Sequence, residues 1–224
     1  MQHYCIFKGI NSLDLDLMME QCPPKGHPAP RYTNVVVPGR SGTLTQTDGT
    51  YEVFTREAGF LVFDPQRWEE IMSMFSGDGD LMFDDELERK YSARVKDGFS
   101  FTQEAIQTNR FSVPFECQPF ARERFPQTIP FLASCVLNNM GTFEAQPMIK
   151  AYGSGAITVT VNGKPFTVQG VTSSAVIDCE NMMAYEGQTL LVTAGAFPVL
   201  PIGKSTISFS GASKLEITPN WRWL

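Results

Sequence analysis

The stretch ITVTVNGKPFTV, residues 157–168, constrains the fold more than any other part of the sequence. Apolar residues alternate with threonines in its first half, and the alternation resumes at Phe166 and Val168. A period of two places successive side chains on opposite faces of a β-strand. Asn162–Gly163 supplies the two positive-φ residues that a tight hairpin turn needs. We therefore predict an antiparallel hairpin here.

Most other ordered segments also have strand character. Short β-prone runs are separated by glycine, asparagine and aspartate, including a turn expected at Asp97–Gly98. Short strands at this spacing indicate a sandwich or a barrel. The later runs of this kind are AVIDCE, TLLVTA, STISFSG and KLEITPNW.

One segment, DPQRWEEIMSMF at residues 64–75, has the pattern of a helix instead. Asp64 is a suitable N-cap, and Pro65 suits the first helical turn. The predicted helix would bury one apolar stripe, formed by Trp68, Ile71, Met72 and Phe75. The fold class predicted is therefore mainly β, with an N-terminal α+β domain of a sheet plus one helix and a C-terminal β-sandwich.

Two proline-rich segments organise the chain. CPPKGHPAP, residues 22–30, has four prolines in nine positions and is predicted to be a loop. PFARERFPQTIP, residues 119–130, carries three prolines and three charges and is predicted to link two domains. We place the domains at residues 1–122 and 123–224.

Charge and hydropathy exclude several classes of function. The net charge is −6, so the surface repels phosphate backbones, and we expect no specific nucleic-acid partner. No apolar run approaches the roughly 20 residues that span a bilayer, so no membrane insertion is expected. The N-terminus lacks the pattern of a signal peptide, and we expect folding in the cytoplasm.

No pattern of metal or nucleophilic residues predicts a catalytic centre. The five cysteines lack CxxC spacing, so we expect buried thiols and neither a disulfide framework nor a zinc site. A nucleophilic cysteine would need a base, and the only histidines are His3 and His27. The acidic run at residues 76–88 fails the EF-hand pattern and is predicted to be a solvated turn. PGRSG, residues 38–42, lacks the lysine and helix of a phosphate loop, and a turn is predicted there.

Asp178 and Glu180 are the one carboxylate pair with a spacing that glycosidase chemistry could use. On one strand they would share a face, about the separation that paired carboxylates need. Nothing nearby supplies the opposite wall of a cleft. We expect both to decorate the solvent face of a sandwich strand, so the chain is predicted to be no enzyme, with no metal and no cofactor.

The order of segments resembles the distal tail protein (Dit) family of long-tailed phages and prophages. In the N-terminal half the resemblance rests on PGRSGTL, the helix with Trp68, and DLMFDDELERKYSARV. The second half carries its more specific parts: LNNMGTFEAQP, YGSGAI, VIDCE, FPVLPIGKSTI and PNWRW. Together these segments cover most of the chain.

The resemblance implies a structural hub protein of the virion tail, assembled in the bacterial host cytoplasm. It implies that N-terminal domains close into a homo-hexameric ring and that C-terminal domains are galectin-like sandwiches. The implied partners are the tail tube protein, the tail-tip or tail-associated protein, and a receptor-binding protein. Galectin likeness also raises an alternative, a carbohydrate-binding module for host cell-wall attachment.

Candidate residues follow for both hypotheses. Ring contacts are expected in two regions, from Pro38 to Glu52 and in the acidic turn from Gly77 to Asp85. The candidate ring residues are Arg40, Thr43, Tyr51, Asp78, Asp80 and Asp84. The candidate sugar contacts are Trp221 and Trp223, because lectins commonly stack sugars on aromatic rings.

Overall fold

The computed structural model describes residues 2–96 and 109–224 and divides the chain into two compact units. The first runs up to Ala121, and the second is Arg122–Trp223. The division falls inside the proline-rich segment at residues 119–130, while the two-domain assignment itself stays a proposal. The turn expected at Asp97–Gly98 lies outside the described residues.

The first unit is a sheet with one helix among its described residues. Its helix is α1 (Trp68–Met74), preceded by a 3₁₀ turn at Pro65–Arg67. Its strands are β1 (Cys5–Phe7), β2 (Ile10–Asn11), β3 (Leu17–Met19), β4 (Pro30–Val36), β5 (Thr43–Tyr51), β6 (Phe54–Val62), β7 (Asp78–Phe83), β8 (Arg89–Val95) and β9 (Arg110–Cys117). Seven of them form one antiparallel sheet in the order β2-β1-β7-β8-β9-β6-β3, and β4 pairs only with β5.

The predicted helix is confirmed at its start and altered along its stripe. The Asp64 carboxylate accepts a hydrogen bond from the Gln66 backbone N–H at 2.9 Å, as an N-cap should. Ile71 and Phe75 are buried, but Met72 is 40% exposed and Met74 takes its place in the core. Ile71 and its i+3 and i+4 neighbours Met74 and Phe75 form the buried face, which leaves Met72 at its margin.

The core of the first unit is largely aromatic. Phe7 and Phe115 meet edge to face at 5.4 Å between ring centroids, and Phe60 packs on Phe75 from the helix at 5.2 Å. Such edge-to-face and tilted contacts are favourable geometries for aromatic pairs. The helix therefore closes the sheet by seating its Phe75 ring among the rings of the strands.

The second unit is a curled nine-stranded antiparallel sheet, which confirms the mainly β class. Two long strands, β13 and β19, pair along most of their lengths. The strands from the unit boundary onward are β10 (Ala121–Glu123), β11 (Ile129–Phe131), β12 (Cys135–Asn139), β13 (Met148–Val161), β14 (Lys164–Val171), β15 (Ser174–Asp178), β16 (Met183–Glu186), β17 (Thr189–Leu190), β18 (Val192–Ala194), β19 (Gly203–Thr218) and β20 (Arg222–Trp223). The first of these and the last lie outside the nine.

The predicted hairpin is confirmed. β13 and β14 pair with Val161 opposite Lys164, so Asn162 and Gly163 form the turn. Both turn residues have positive φ, 50° and 78°. The Asn162 side chain also accepts a hydrogen bond from the Thr206 N–H at 2.8 Å, which ties the turn to β19.

Glycines let β13 and β19 bend at the same level. β13 pairs with β15 before Gly153 and with β14 after it, and the β13–β19 register shifts there. A Cβ on Gly153 would overlap the carbonyl oxygen of Gly211, and one on Gly211 would overlap that of Ala156. The two backbones therefore approach more closely than any side chain would allow, and both halves of the sheet face one aliphatic core.

Replacing Gly211 with alanine should destabilise the second unit by roughly 2–5 kcal/mol. The strained left-handed backbone costs about 1–2 kcal/mol, and overpacking against the Ala156 carbonyl adds about 1–3 kcal/mol. Hydrogen exchange of β13 and β19 peptides along a urea titration measures this unit separately from the first.

Gly155→Ala is the matched control, because Gly155 has φ 83° against 77° for Gly211 but nothing within 4 Å of its added Cβ. It should cost only the backbone term of about 1–2 kcal/mol. Equal losses in the two variants would contradict the close-approach argument.

Candidate functional site

The most exposed element of the first unit is the hairpin of β4 and β5. Thr43 pairs with Val36 at its tip end, and the intervening residues include the predicted PGRSG turn, in which Gly39 and Gly42 both have φ 82°. The prediction of a turn there is confirmed. At the other end, Tyr51 pairs with Pro30, where the proline-rich loop ends and the strand begins.

The hairpin exposes apolar side chains on both of its faces. Val36 is 74% exposed, and its neighbour Val35, on the opposite face, pairs across to Leu44, which is also exposed. Every residue of β4 is exposed, as is all of β5 before Tyr51. A two-stranded hairpin that packs on nothing is marginally stable in water. This surface therefore has the character of a contact surface.

The foot of the hairpin is anchored to the first unit. Arg31 on β4 and Glu52 directly after β5 form an ion pair with 2.9 Å between Nε and Oε1, which ties the two ends of the hairpin to each other. The Tyr51 ring meets the Phe120 ring edge to face at 5.8 Å. The hairpin is thus held at its base while its strands remain open to solvent.

The candidate ring residues divide between this hairpin and β7. Arg40, Thr43 and Tyr51 belong to the hairpin. Asp78 and Asp80 lie on β7, so the solvated turn predicted for residues 76–88 and the acidic turn from Gly77 to Asp85 are wrong over Asp78–Phe83, although a turn does follow that strand at residues 84–88. Both aspartates are exposed, and the three residues that follow Asp80 on the strand are all buried. Asp80 also pairs with Lys90 at 2.7 Å.

Asp84 is a poor ring contact because its carboxylate is engaged within the chain. Its side chain is 10% exposed. Oδ2 lies 2.9 Å from Nδ1 of His3, and Oδ1 accepts a hydrogen bond from the Cys22 thiol at 2.8 Å. The thiol sulfur lies 3.6 Å from the same His3 nitrogen. An imidazole, a thiol and a carboxylate thus meet at one half-buried position.

The protonation of this cluster argues against a nucleophilic cysteine. Burial and the hydrogen bond to Asp84 raise the pKa of Cys22 to about 12. Burial also raises the pKa of Asp84, but the hydrogen bonds from Cys22 and His3 outweigh it and leave that pKa below its ordinary value. The thiol stays protonated beside a carboxylate, the opposite of an activated thiolate.

Sequence reasoning missed this cluster. His3 and Cys22 lie near each other in sequence, but Asp84 follows Cys22 by 62 residues. Only the pairing of β1 with β7 brings residue 84 to the N-terminal segment, through Cys5 opposite Phe83. The one signal in the sequence was Asp84 itself, an acidic residue that directly follows the apolar run Leu81–Phe83.

Asp178 and Glu180 do not share a strand face as expected. β15 ends at Asp178, and Glu180 lies in the following turn. Asp178 accepts hydrogen bonds from the backbone N–H groups of Glu180 and Asn181, at 3.1 and 3.0 Å. Such a turn is a common use of aspartate and ends the strand.

Glu180 is occupied by an ion pair. The Arg122 guanidinium donates two hydrogen bonds to the Glu180 carboxylate and holds its pKa below the ordinary value, against the opposing effect of burial. A general acid would need a raised pKa instead. The pair therefore has structural roles, as a turn cap and a salt bridge.

The candidate sugar contacts are not open aromatic platforms. Trp221 is 5% exposed and belongs to the hydrophobic core of the second unit. Trp223 is half-buried and packs against the same core. A buried ring offers no face to a sugar, so the prediction that Trp221 stacks on a sugar is wrong.

No helix among residues 2–96 and 109–224 combines the length and apolar character that crossing a bilayer requires.

Comparison with known proteins finds a likeness in fold. The solved structure of the SPP1 Dit protein (gp 19.1) matches with a TM-score of 0.78 and 15% sequence identity, covering 100% of both chains. That structure is described as a paradigm of the hub adsorption apparatus in phages that infect Gram-positive bacteria. No protein-family model and no curated protein matches the chain. The resemblance drawn from the sequence is thus confirmed at the level of the fold.

Cys22 should react with iodoacetamide at pH 8 at least about tenfold more slowly than glutathione. A pKa of about 12 leaves very little thiolate, and the higher intrinsic nucleophilicity offsets only part of that loss. Peptide mapping by mass spectrometry resolves Cys22 from the other cysteines. A chelator is present throughout, so that the reaction measures the metal-free thiol. Alkylation faster than glutathione would instead identify an activated thiolate.

Proposed function

We propose that this chain is a structural hub protein of a phage or prophage tail tip. In this role, copies of the first unit assemble side by side into a homo-hexameric ring. The ring joins the tail tube protein to the tail-tip or tail-associated protein and carries a receptor-binding protein for host attachment. The chain acts by assembly and performs no catalysis.

The likeness to the SPP1 Dit protein supports the proposal because it extends over the whole of both chains. A match over both units, in the same order along the chain, means that the whole fold of the hub protein is shared. A likeness limited to the second unit would have pointed equally to any sandwich domain. At 15% identity, the match supports a shared fold only. Support for the assembly role must come from the exposed surfaces of this chain.

The exposed hairpin is the observation that carries the proposal. Its apolar residues Tyr32, Val36 and Leu44 are all exposed by more than a third, and they lie on both faces of the hairpin. Its two outer edges also present unpaired backbone groups, which invite pairing with another chain. A neighbouring copy can cover both features at once, and a head-to-tail contact of this kind closes a ring when its rotation fits.

The observations favour assembly over the carbohydrate-binding alternative. The two tryptophans proposed for sugar stacking pack on the core of the second unit. The acids of residues 178–180 cap a turn and pair with Arg122. Location in the virion tail, after assembly in the host cytoplasm, follows from the proposed role.

Val36→Glu should abolish the hexamer without unfolding the chain. A charge at the most exposed apolar position of the hairpin would have to be buried unpaired in the ring contact, which is strongly unfavourable. Light scattering with size exclusion, over a hundredfold range of concentration, should show six chains for the wild type and one for the variant.

Val192→Glu is the matched control, because Val192 is 69% exposed on β18 in the second unit. It should leave the hexamer intact. A wild type that stays monomeric at every concentration, alone and with a purified tail tube protein, would overturn the ring. A hexamer that survives Val36→Glu would keep the ring and reject the hairpin contact.

A further inference from the structure

The cluster of His3, Cys22 and Asp84 places three different metal-ligating groups together. An imidazole nitrogen, a thiol sulfur and a carboxylate oxygen all lie within 4.8 Å of one another. They come from three segments: the N-terminus before β1, the loop after β3 and the end of β7. All three residues are half-buried, so the spot is shielded yet open to an ion from solvent.

Backbone contacts hold two of these residues, His3 and Asp84, in place. The His3 carbonyl accepts a hydrogen bond from the Met19 N–H at 2.9 Å. The Asp84 N–H donates to the Tyr4 carbonyl at 3.1 Å. These contacts fix the N-terminal segment and the end of β7 next to each other, so the cluster is largely formed before any ion arrives.

The loop that carries Cys22 is anchored from inside the unit. The Arg56 guanidinium is buried and donates to the carbonyl of Pro23 at 2.8 Å. It also lies 4.1 Å above the Phe83 ring, a cation–π contact that keeps the arginine beside the end of β7. The residue that follows Cys22 and the residue that precedes Asp84 are therefore tied to one side chain.

We propose that His3, Cys22 and Asp84 bind a divalent zinc ion. Zinc takes sulfur, nitrogen and oxygen ligands with bonds of about 2.0–2.3 Å, so tetrahedral ligand atoms lie roughly 3.3–3.7 Å apart. The sulfur and the nitrogen are already 3.6 Å apart. Asp84 contacts them through different oxygens, at 2.8 and 2.9 Å, so one oxygen must become the ligand and move several tenths of an ångström away from its present partner. Water takes the fourth position.

The ion replaces protons that now hold the cluster together. Asp84 accepts from the Cys22 thiol on one oxygen and faces His3 Nδ1 on the other. Binding zinc forms S–Zn, N–Zn and O–Zn bonds and releases the thiol proton to solvent. The proton that Nδ1 donates to Asp84 must also leave that nitrogen, and exchange with solvent places it on Nε2. Thiolate and imidazole together select zinc-class ions over magnesium or calcium, which prefer oxygen ligands alone.

The ion would act as a staple between segments distant in the chain. It joins the N-terminal segment and the end of β7 to the loop that leads into β4 of the exposed hairpin. This role is independent of ring formation, and the two are measured separately. A monomer can bind zinc, and a hexamer can lack it.

The test uses the full untagged chain, stripped with chelator and titrated with zinc or cobalt. Zinc should bind at one ion per chain, measured by competition with a chromophoric chelator and by elemental analysis after dialysis. Cobalt should give the near-ultraviolet charge-transfer band of a thiolate ligand. Cys22→Ser should remove the band, and Asp84→Asn and His3→Gln should weaken zinc binding more than about tenfold, at least the loss seen for outer-shell substitutions.

Cys135→Ser and His27→Gln are the matched controls, since each changes a residue of the same type outside the cluster. Both should bind zinc as the wild type does. Circular dichroism of every metal-free variant separates lost ligands from lost fold, and Cys22→Ser differs from the wild type by one atom. Absence of the thiolate band in the wild type, or unchanged zinc affinity in Cys22→Ser, would overturn the site.

Discussion

The second unit depends on the close approach of two backbones at Gly211. Its α-carbon faces the carbonyl of Ala156 with no room for a side chain, and Gly153 meets the carbonyl of Gly211 in the same way. These contacts let β13 and β19 bend together without separating. A long flat sheet would expose one apolar face, whereas the bent sheet encloses Ile149 and Ile157 in a single core. The bend thus lets the two halves of one sheet pack on opposite sides of the same core.

The first unit solves the same problem with a helix. One face of its sheet is buried under Ile71 and Phe75 of the α1 region. Aromatic rings fill the space between helix and sheet, whereas in the second unit the bent sheet encloses its own core. Because this core is complete without β4 and β5, no residue of the hairpin before Tyr51 is needed for it. The hairpin is free for contacts outside the chain, and its exposure follows from the closure of the core.

Local signals predicted local structure well. Asn162–Gly163 formed the expected hairpin, and Asp64 capped the expected helix, because each feature is settled by residues a few positions apart. Errors arose where tertiary pairing decides the outcome. The acidic run became β7 because β1 and β8 pair on either side of it. The meeting of Cys22 with Asp84 depends on that same pairing, which no local spacing encodes.

The exposed hairpin also limits what kind of assembly this fold can form. A contact between a hairpin and a different surface of the next copy is head-to-tail, and such contacts close into a ring only when the rotation divides the circle. The same contact with another rotation builds an open fibre. A two-stranded hairpin is too weak to impose that angle alone. The rigid parts must set it, and the contact of the Tyr51 ring with the Phe120 ring attaches the base of the hairpin to those parts.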